Sequence, residues 1–304
     1  MSIVIRDFQA DDAAGVSALF RAIYGEHYVY PDVYLPSMIR RHNAAGRWHS
    51  AVAVRDGRVL GHAALWRDPH CPGSAELALN VVRPDARGQG LATALGRHLR
   101  AQAVALGLSM LTIKQVSSHG QSQRLAKTLG FHTTGLLLDY VASPFGRPQP
   151  ESIVLGCLPL RSRPIPALNW PAAWREWLTP LSRAFGSAPP PAQGQGLAGG
   201  LSIASHGRRL EVGLEEINGG RLREVAALPA GRLVYVRLAL GPDAPRAAAA
   251  LQQAGFVCGG LVPGPDGSWQ ALLLRGHGRQ QLALSCPLAN RLHQLSQQAA
   301  AVAA

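Results

Sequence analysis

Residues 79–103 read LNVVRPDARGQGLATALGRHLRAQA: a β-branched run ends in Arg-Pro-Asp, passes two closely spaced glycines and turns into a helical pattern. Such a junction has its own chemistry. A helix N-terminus offers amide N–H groups without carbonyl partners at the positive end of the helix dipole. Glycines let the backbone approach a ligand because no Cβ intervenes. Strand, glycine turn and helix together form a phosphate cradle, to which Arg87 adds a charge. A dinucleotide fingerprint would need a third glycine near Thr93 and an acid about 20 residues on, and neither is present. A P-loop would need Gly-Lys-Ser/Thr at its end, also missing. What remains is Arg-x-x-Gly-x-Ala over residues 87–92, preceded by Val-x-Pro.

Other residues with chemical potential cluster less tightly. Tyr24, His27, Tyr28, Tyr30 and Tyr34 gather four of the six tyrosines into one short segment. Such side chains offer apolar area with one hydrogen-bonding tip, which suits the wall of a pocket for a polar small molecule. His62 sits in a strand pattern that could face the same cleft. Glu76 opens the strand that feeds the glycine turn. The sequence announces no metal: Asp-Pro-His-Cys at residues 68–71 is too short a cluster.

These residues need elements to hold them. A first strand over "SIVIRDF" leads to an amphipathic helix ending near Tyr24. Two strands follow, joined at Asp56-Gly57, a hairpin signal. After the glycine turn, Leu91, Leu95, Leu99, Ala103 and Leu106 recur at helical spacing, so one face of that helix packs on a sheet. A strand "MLTIKQV", a helix ending at Gly130 and the strands "HTTGLLLDYV" and "SIVLGCLPL" follow. Trp170, Trp174 and Trp177 line one face of a helix over residues 171–185, a stripe that reads as a domain interface. "GSAPPPAQGQGLAGG" is the clearest linker. Beyond it, "VYVRLAL…LQQAGFVCGGLV" repeats the order of "TIKQV…AKTLGFHTTGLL", an internal duplication whose second copy lacks the glycine motif.

Val82-Arg83-Pro84-Asp85-Ala86-Arg87-Gly88-Gln89-Gly90-Leu91-Ala92 resembles the acyl-CoA-binding motif of the GNAT acyltransferase superfamily. The later "LAKTLGFHTTG" resembles that family's Gly-Phe signature, and element order agrees over residues 1–158. The resemblance implies an α/β protein, a mixed sheet splayed open along the strand that carries Glu76 to Val82. Residues 1–160 would be the GNAT acyl-CoA-binding catalytic domain, 161–200 a helix and Pro/Gly-rich linker, and 201–304 a smaller, degenerate GNAT-like domain. The donor would be acetyl-CoA or another acyl-CoA, with pantetheine against Val81 and Val82 and pyrophosphate on the amides of Arg87, Gly88, Gln89, Gly90, Leu91 and Ala92. Ser122 would border it. The family's thiol-protonating tyrosine falls here on Ala126, and a neighbouring asparagine on His119, so Tyr140 or Ser122 is the expected stand-in. Glu76 and His119 are the candidate bases, while Tyr24, His27, Tyr28, Tyr30, Tyr34 and His62 would line the acceptor site.

The formal charge of +12 allows a polyanionic partner, although the basic residues are scattered arginines with only two lysines, Lys114 and Lys127. Some GNAT-like proteins take an aminoacyl group from tRNA, which makes aminoacyl-tRNA the alternative donor; a non-catalytic CoA-binding or sensor protein is the third reading. Four separated cysteines and a charged N-terminus point to a cytoplasmic protein with reduced thiols, and no run approaches the roughly 20 apolar residues of a membrane span.

Overall fold

The computed structural model describes residues 2–118, 120–191, 200–265 and 267–302 of a mixed α/β chain. Its first elements are β1 (Val4–Asp7), α1 (Ala13–Tyr24), α2 (Pro36–Ala44), β2 (Trp48–Arg55), β3 (Arg58–Arg67) and β4 (Ser74–Val82). Then come α3 (Leu91–Ala105), β5 (Met110–Val116), α4 (Gly120–Leu129), β6 (His132–Val141) and β7 (Glu151–Pro159). Two short strands, β8 (Ile165–Pro166) and β9 (Ser187–Ala188), bracket α5 (Ala172–Phe185). The chain continues through β10 (Leu201–His206), β11 (Arg209–Leu214), α6 (Gly219–Ala226), β12 (Leu233–Ala239) and α7 (Ala244–Gln253). It closes with β13 (Val257–Pro263), β14 (Trp269–Arg275) and α8 (Pro287–Val302).

Twelve strands form one sheet in the order β1-β2-β3-β4-β5-β7-β6-β13-β14-β12-β11-β10. The order is a repeat read in opposite directions from its middle. In the first half β4 runs parallel to β5, β7 antiparallel to β5, and β6 antiparallel to β7. In the second half β11 runs parallel to β12, β14 antiparallel to β12, and β13 antiparallel to β14. The duplication visible in the sequence is thus present as topology. Most of the expected linker, residues 192–199, lies outside the described residues.

The hairpin at Asp56-Gly57 forms with both residues at positive φ (53° and 75°), the backbone that a two-residue turn requires. The helix after the glycine turn packs Leu91, Leu95, Leu99 and Ala103 inward, but it ends at Ala105, and Leu106 lies past that end, 41% exposed. The Trp stripe is buried in a core cluster that draws on both halves of the sheet: Trp170 and Trp174 stack at 4.4 Å, all three indoles are buried, and Trp174 Nε1 donates to Gln252 Oε1 of α7 at 3.3 Å. Cys157 and Cys258 are buried free thiols, and burial pushes both up to about 12.

The halves meet where β6 pairs with β13 through Gly135 and Gly260. Gly260 has φ +107°, and a Cβ there would lie 2.2 Å from Thr134 O. A Cβ on Gly135 would lie 2.9 Å from Gly259 O. Only glycine lets these backbones come so close. Gly260→Ala is expected to cost about 3 kcal/mol or more in urea unfolding, from positive-φ strain plus a backbone clash. Gly207→Ala, at φ +59° with open space around it, should cost only about 1–2 kcal/mol. Equal losses at the two positions would show that the join does not depend on close approach.

Candidate functional site

β4 and β5 pair only at Ser74↔Met110, Ala75↔Leu111 and Glu76↔Thr112. Beyond Glu76 they diverge, while β4 stays bound to β3 as far as Gly61↔Val82. The divergence begins at a bulge: the β3–β4 register shifts between His62 and Ala64, and Leu79 takes φ +55°. His62, fully buried, holds this bulge by donating from Nδ1 to Leu79 O at 3.1 Å, and it packs edge-on to Phe20. It is sealed into the sheet and does not line an open cleft.

The glycine turn lies at the mouth of the divergence. Gly88 and Gly90 have φ +80° and +73°, with open space where a Cβ would stand. Gly90 in the left-handed region starts α3, whose first intrahelical bond is Ala94 N–H to Gly90 O at 3.0 Å. The amides of Leu91, Ala92 and Thr93 therefore precede the helical ladder. Arg87 and Gln89 are exposed; Arg87 Nε reaches Val82 O at 3.4 Å. Asn80 Nδ2 donates to Ala92 O at 3.3 Å, fastening β4 to the first turn of α3. Val81 is buried and Val82 half-buried on β4, and Ser122 Oγ reaches Val116 O at 3.5 Å, at the far end of β5.

Glu76, the last residue of β4 to pair with β5, forms an ion pair with Lys114 of β5 at 2.8 Å, each side chain about a quarter exposed (25% and 30%). Burial works against the Lys114 charge, but the Glu76 carboxylate, with Tyr140 and Tyr30 beside it, raises the lysine pKa above its ordinary value. Lys114 Nζ also lies 5.6 Å from the centre of the Tyr140 ring. The structure thus brings Glu76 and Tyr140 together through a lysine to which sequence reasoning assigns no role. The only signal for it is the rarity of lysine in this chain. Ala126 is buried beside Leu95 and Leu129 in the α3–α4 core, and His119 lies outside the described residues.

The tyrosine segment forms a continuous aromatic wall. Tyr24 and Tyr28 meet at 4.7 Å, Tyr28 and Tyr30 at 6.0 Å, and Tyr30 and Trp66 at 4.7 Å. Burial raises the Tyr24, Tyr28 and Tyr30 phenols above their ordinary pKa, so they are neutral donors near pH 7. Tyr28 and Tyr30 are within electrostatic reach of Glu76, and Tyr30 also of Lys114 and Tyr140. Tyr34 is turned to the segment's own backbone, its hydroxyl accepting from Tyr28 N at 2.9 Å. His27 is exposed and packs over Gly146.

Burial lowers the His62 pKa from 6.5 to about 4, so the imidazole is neutral at pH 7. The folded state therefore binds this proton more weakly than the unfolded chain. The His62 contribution to stability is complete above pH 6.5 and is lost as pH falls towards 4, by about 3 kcal/mol in all. His62→Phe should flatten the stability–pH curve across that window relative to wild type, measured by urea unfolding at stepped pH. An unchanged slope would show that His62 titrates freely in the fold.

Residues 15–131 match the model of the Acetyltransferase (GNAT) family. No curated protein matches the chain. Among solved structures, the N-acetyltransferase of Staphylococcus aureus Mu50 is 21% identical, covers 53% of this chain and 100% of its own, and has a TM-score of 0.47. The Sinorhizobium meliloti phosphinothricin acetyltransferase, solved with acetyl-CoA, is 25% identical over 53% of this chain and 90% of its own, with a TM-score of 0.44. The ribosomal-protein-S18-alanine N-acetyltransferase of Escherichia coli is 19% identical over 53% and 95%, with a TM-score of 0.44.

Proposed function

Since residues 15–131 make the chain a transferase carrying a domain of the acetyltransferase (GNAT) family, we propose that it moves an acetyl group from acetyl-CoA to the amine of a small molecule or an amino acid. The observation that carries this reading is the divergence of β4 from β5 immediately after Glu76, with the glycine turn at its mouth. The donor supplies an activated thioester. Everything else falls to the chain's own residues.

The amides of Gly88 to Thr93 and the Arg87 guanidinium hold the diphosphate, where open space and unpaired N–H groups coincide. Val81 and Val82 present the edge of β4 that β5 has left, backbone available to the amides of a pantetheine arm. Glu76 receives the acceptor's ammonium and takes its proton, directly or through one water. Lys114 fixes the carboxylate in place and competes with the ammonium for it, which favours an acceptor held by further contacts. Tyr140, whose ring lies 5.6 Å from Lys114 Nζ, carries a hydroxyl with a transferable proton in place of the tyrosine missing at Ala126. Tyr24, Tyr28 and Tyr30 wall the acceptor side. We place this chemistry in the unit of residues 1–160, with 161–200 as connector and 201–304 as a second unit, in the cytoplasm, where the buried thiols Cys157 and Cys258 stay reduced.

Calorimetric titration with acetyl-CoA tests the donor half of the proposal. Wild type should bind in the micromolar range, and the double variant Arg87→Ala/Gly90→Ala should lose at least about tenfold in affinity. No binding by wild type would overturn the acetyl-CoA reading and turn attention to aminoacyl-tRNA as donor. Glu76→Gln tests the acceptor half: kcat should fall by about a hundredfold or more while the acetyl-CoA Kd stays within about twofold. Retained kcat would remove Glu76 from proton transfer.

A further inference from the structure

The second half repeats the strand order of the first but cannot repeat its donor site. β11 and β12 pair at all six positions from Arg209↔Leu233 to Leu214↔Leu238, so no opening separates them. The loop after β11 presents Glu215 and Glu216 ahead of α6, where the first half presents Arg87 and its glycines. Glu216 is paired there with Arg221 at 2.9 Å, and Glu215 adds a negative charge where the first half has Arg87.

What the second half keeps is the acid–cation pair. Glu211 stands opposite Tyr235 on the parallel pair β11–β12, as Glu76 stands opposite Thr112 on β4–β5. Arg237 is two residues beyond Tyr235, as Lys114 is two beyond Thr112. The frames agree on the next strand too: Lys114 pairs with Leu155, which neighbours Gly135, and Arg237 with Leu272, which neighbours Gly260. Glu211 lies 3.8 Å from Arg237, against 2.8 Å for Glu76 and Lys114.

The two pairs belong to one strip, joined at Tyr140. Lys114 Nζ lies 5.6 Å from the centre of that ring and Arg209 Cζ 4.1 Å. Arg209 donates to Tyr140 O and pairs with Glu211 at 3.1 Å. The Tyr235 hydroxyl donates to Leu138 O, and its ring meets Tyr140 edge-on at 5.7 Å, which seats β12 against the end of β6. The strip therefore runs Glu76, Lys114, Tyr140, Arg209, Glu211, Arg237. Its charges do not cancel: Glu76 answers Lys114, but Glu211 alone answers two arginines. Asp139, beside Tyr140 in sequence, is engaged elsewhere, accepting from Gly278 N at 2.7 Å and from Gln280. Arg237 carries the surplus. Its side chain is 45% exposed, and it stands beyond hydrogen-bond distance of Glu211.

Resting on the acetyl-transfer reading, we propose that the second half is the acceptor's anchor: Arg237, supported by Arg209, binds an acidic group of an elongated amine whose nitrogen reaches Glu76. A carboxylate or a phosphate has the required chemistry, since a guanidinium fork accepts either. The acceptor class is thus an amine with a remote negative charge, laid across both halves of the sheet.

The test uses the full chain and a panel of amines in matched forms. ω-Aminododecanoate is set against its amide, triglycyl-glutamate amide against triglycyl-glutamine amide, and ω-aminododecyl phosphate against ω-aminododecanol, each long enough to lie along the strip. Wild type should prefer the acidic member of at least one pair by about tenfold or more in kcat/KM, the carboxylate and phosphate arms deciding which anion it is. Arg237→Gln should collapse that preference through KM with kcat nearly unchanged, weakening direct binding of the acidic amine by the same factor in calorimetry without donor. Arg237→Lys should restore part of it, and Arg237→Glu should invert it. No preference for the acidic member of any pair, or equal losses for acid and amide in Arg237→Gln, would overturn the proposal. Failure of wild type to bind acetyl-CoA would bring down the underlying reading with it; normal acetyl-CoA binding without acid preference would remove this inference alone.

Discussion

Two parallel strands that pair for three residues and then part leave backbone N–H and C=O groups without partners. Everything placed around β4 makes that tolerable. The bulge at Leu79 turns the strand, and His62 satisfies the carbonyl that the turn exposes. Asn80 ties the departing segment to α3, and the glycine turn lets α3 begin directly at the strand's end. The inner faces are closed on either side, by Leu91, Leu95 and Leu99 of α3 and by Val16, Leu19 and Phe20 of α1. The edge groups of β4 beyond Glu76 are left for solvent or a ligand to satisfy. The second half shows the alternative: with β11 and β12 fully paired, no such support is needed and none is built.

The same sheet explains why one half can serve the other. Joining β6 to β13 through two glycines sets the halves about a local two-fold, so equivalent residues approach each other near the join. The carboxylate–cation pairs are such equivalents, and Tyr140, at the end of β6, is where they meet. A side chain that would be a strand-end residue in either half alone becomes the centre of a strip reaching from Glu76 to Arg237.

Legibility from the sequence follows the range of the interaction. The glycine turn, the Asp56-Gly57 hairpin, the helix ahead of Gly130 and the strand order after it are local patterns, and the fold contains each of them. α6 starts on Gly219-Gly220, which reads as loop; its N-cap, Asn218 accepting from Arg221 N at 3.0 Å, is the local signal for it. α2 hides behind Pro36, a residue that breaks a helix interior but suits a first turn. At the site, Glu76 and Tyr140 are legible as residue types. Their connection through Lys114 is not, because it depends on the sheet order β4-β5-β7-β6, which brings the end of β6 back towards β5. The bulge at Leu79 has no signal at all: a leucine at positive φ contradicts its own preference, and only His62 across the strand holds it there. The Trp stripe is legible from its spacing, while its partners in both halves are not.

The surplus of positive charge takes on a structural meaning in this light. Many arginines are spent on main-chain carbonyls, not held out for a polyanion. Arg275 donates to Ala226 O and Leu228 O at the end of α6 and to Ala254 O at the end of α7. Arg100 reaches Leu129 O at the end of α4, and Arg232 binds Gly207 O and Arg208 O in the β10–β11 turn. Arg163 holds Gly264 O and Ser268 O in the β13–β14 turn. Helix C-termini leave carbonyls unpaired at the negative end of the dipole, and a planar five-donor cation meets that need better than any neutral group. A chain with few lysines and short helices closed by arginine will carry a high formal charge whatever it binds. Arg87 at the glycine turn and Arg237 on the far side of the strip are among the arginines that close neither a helix nor a hairpin.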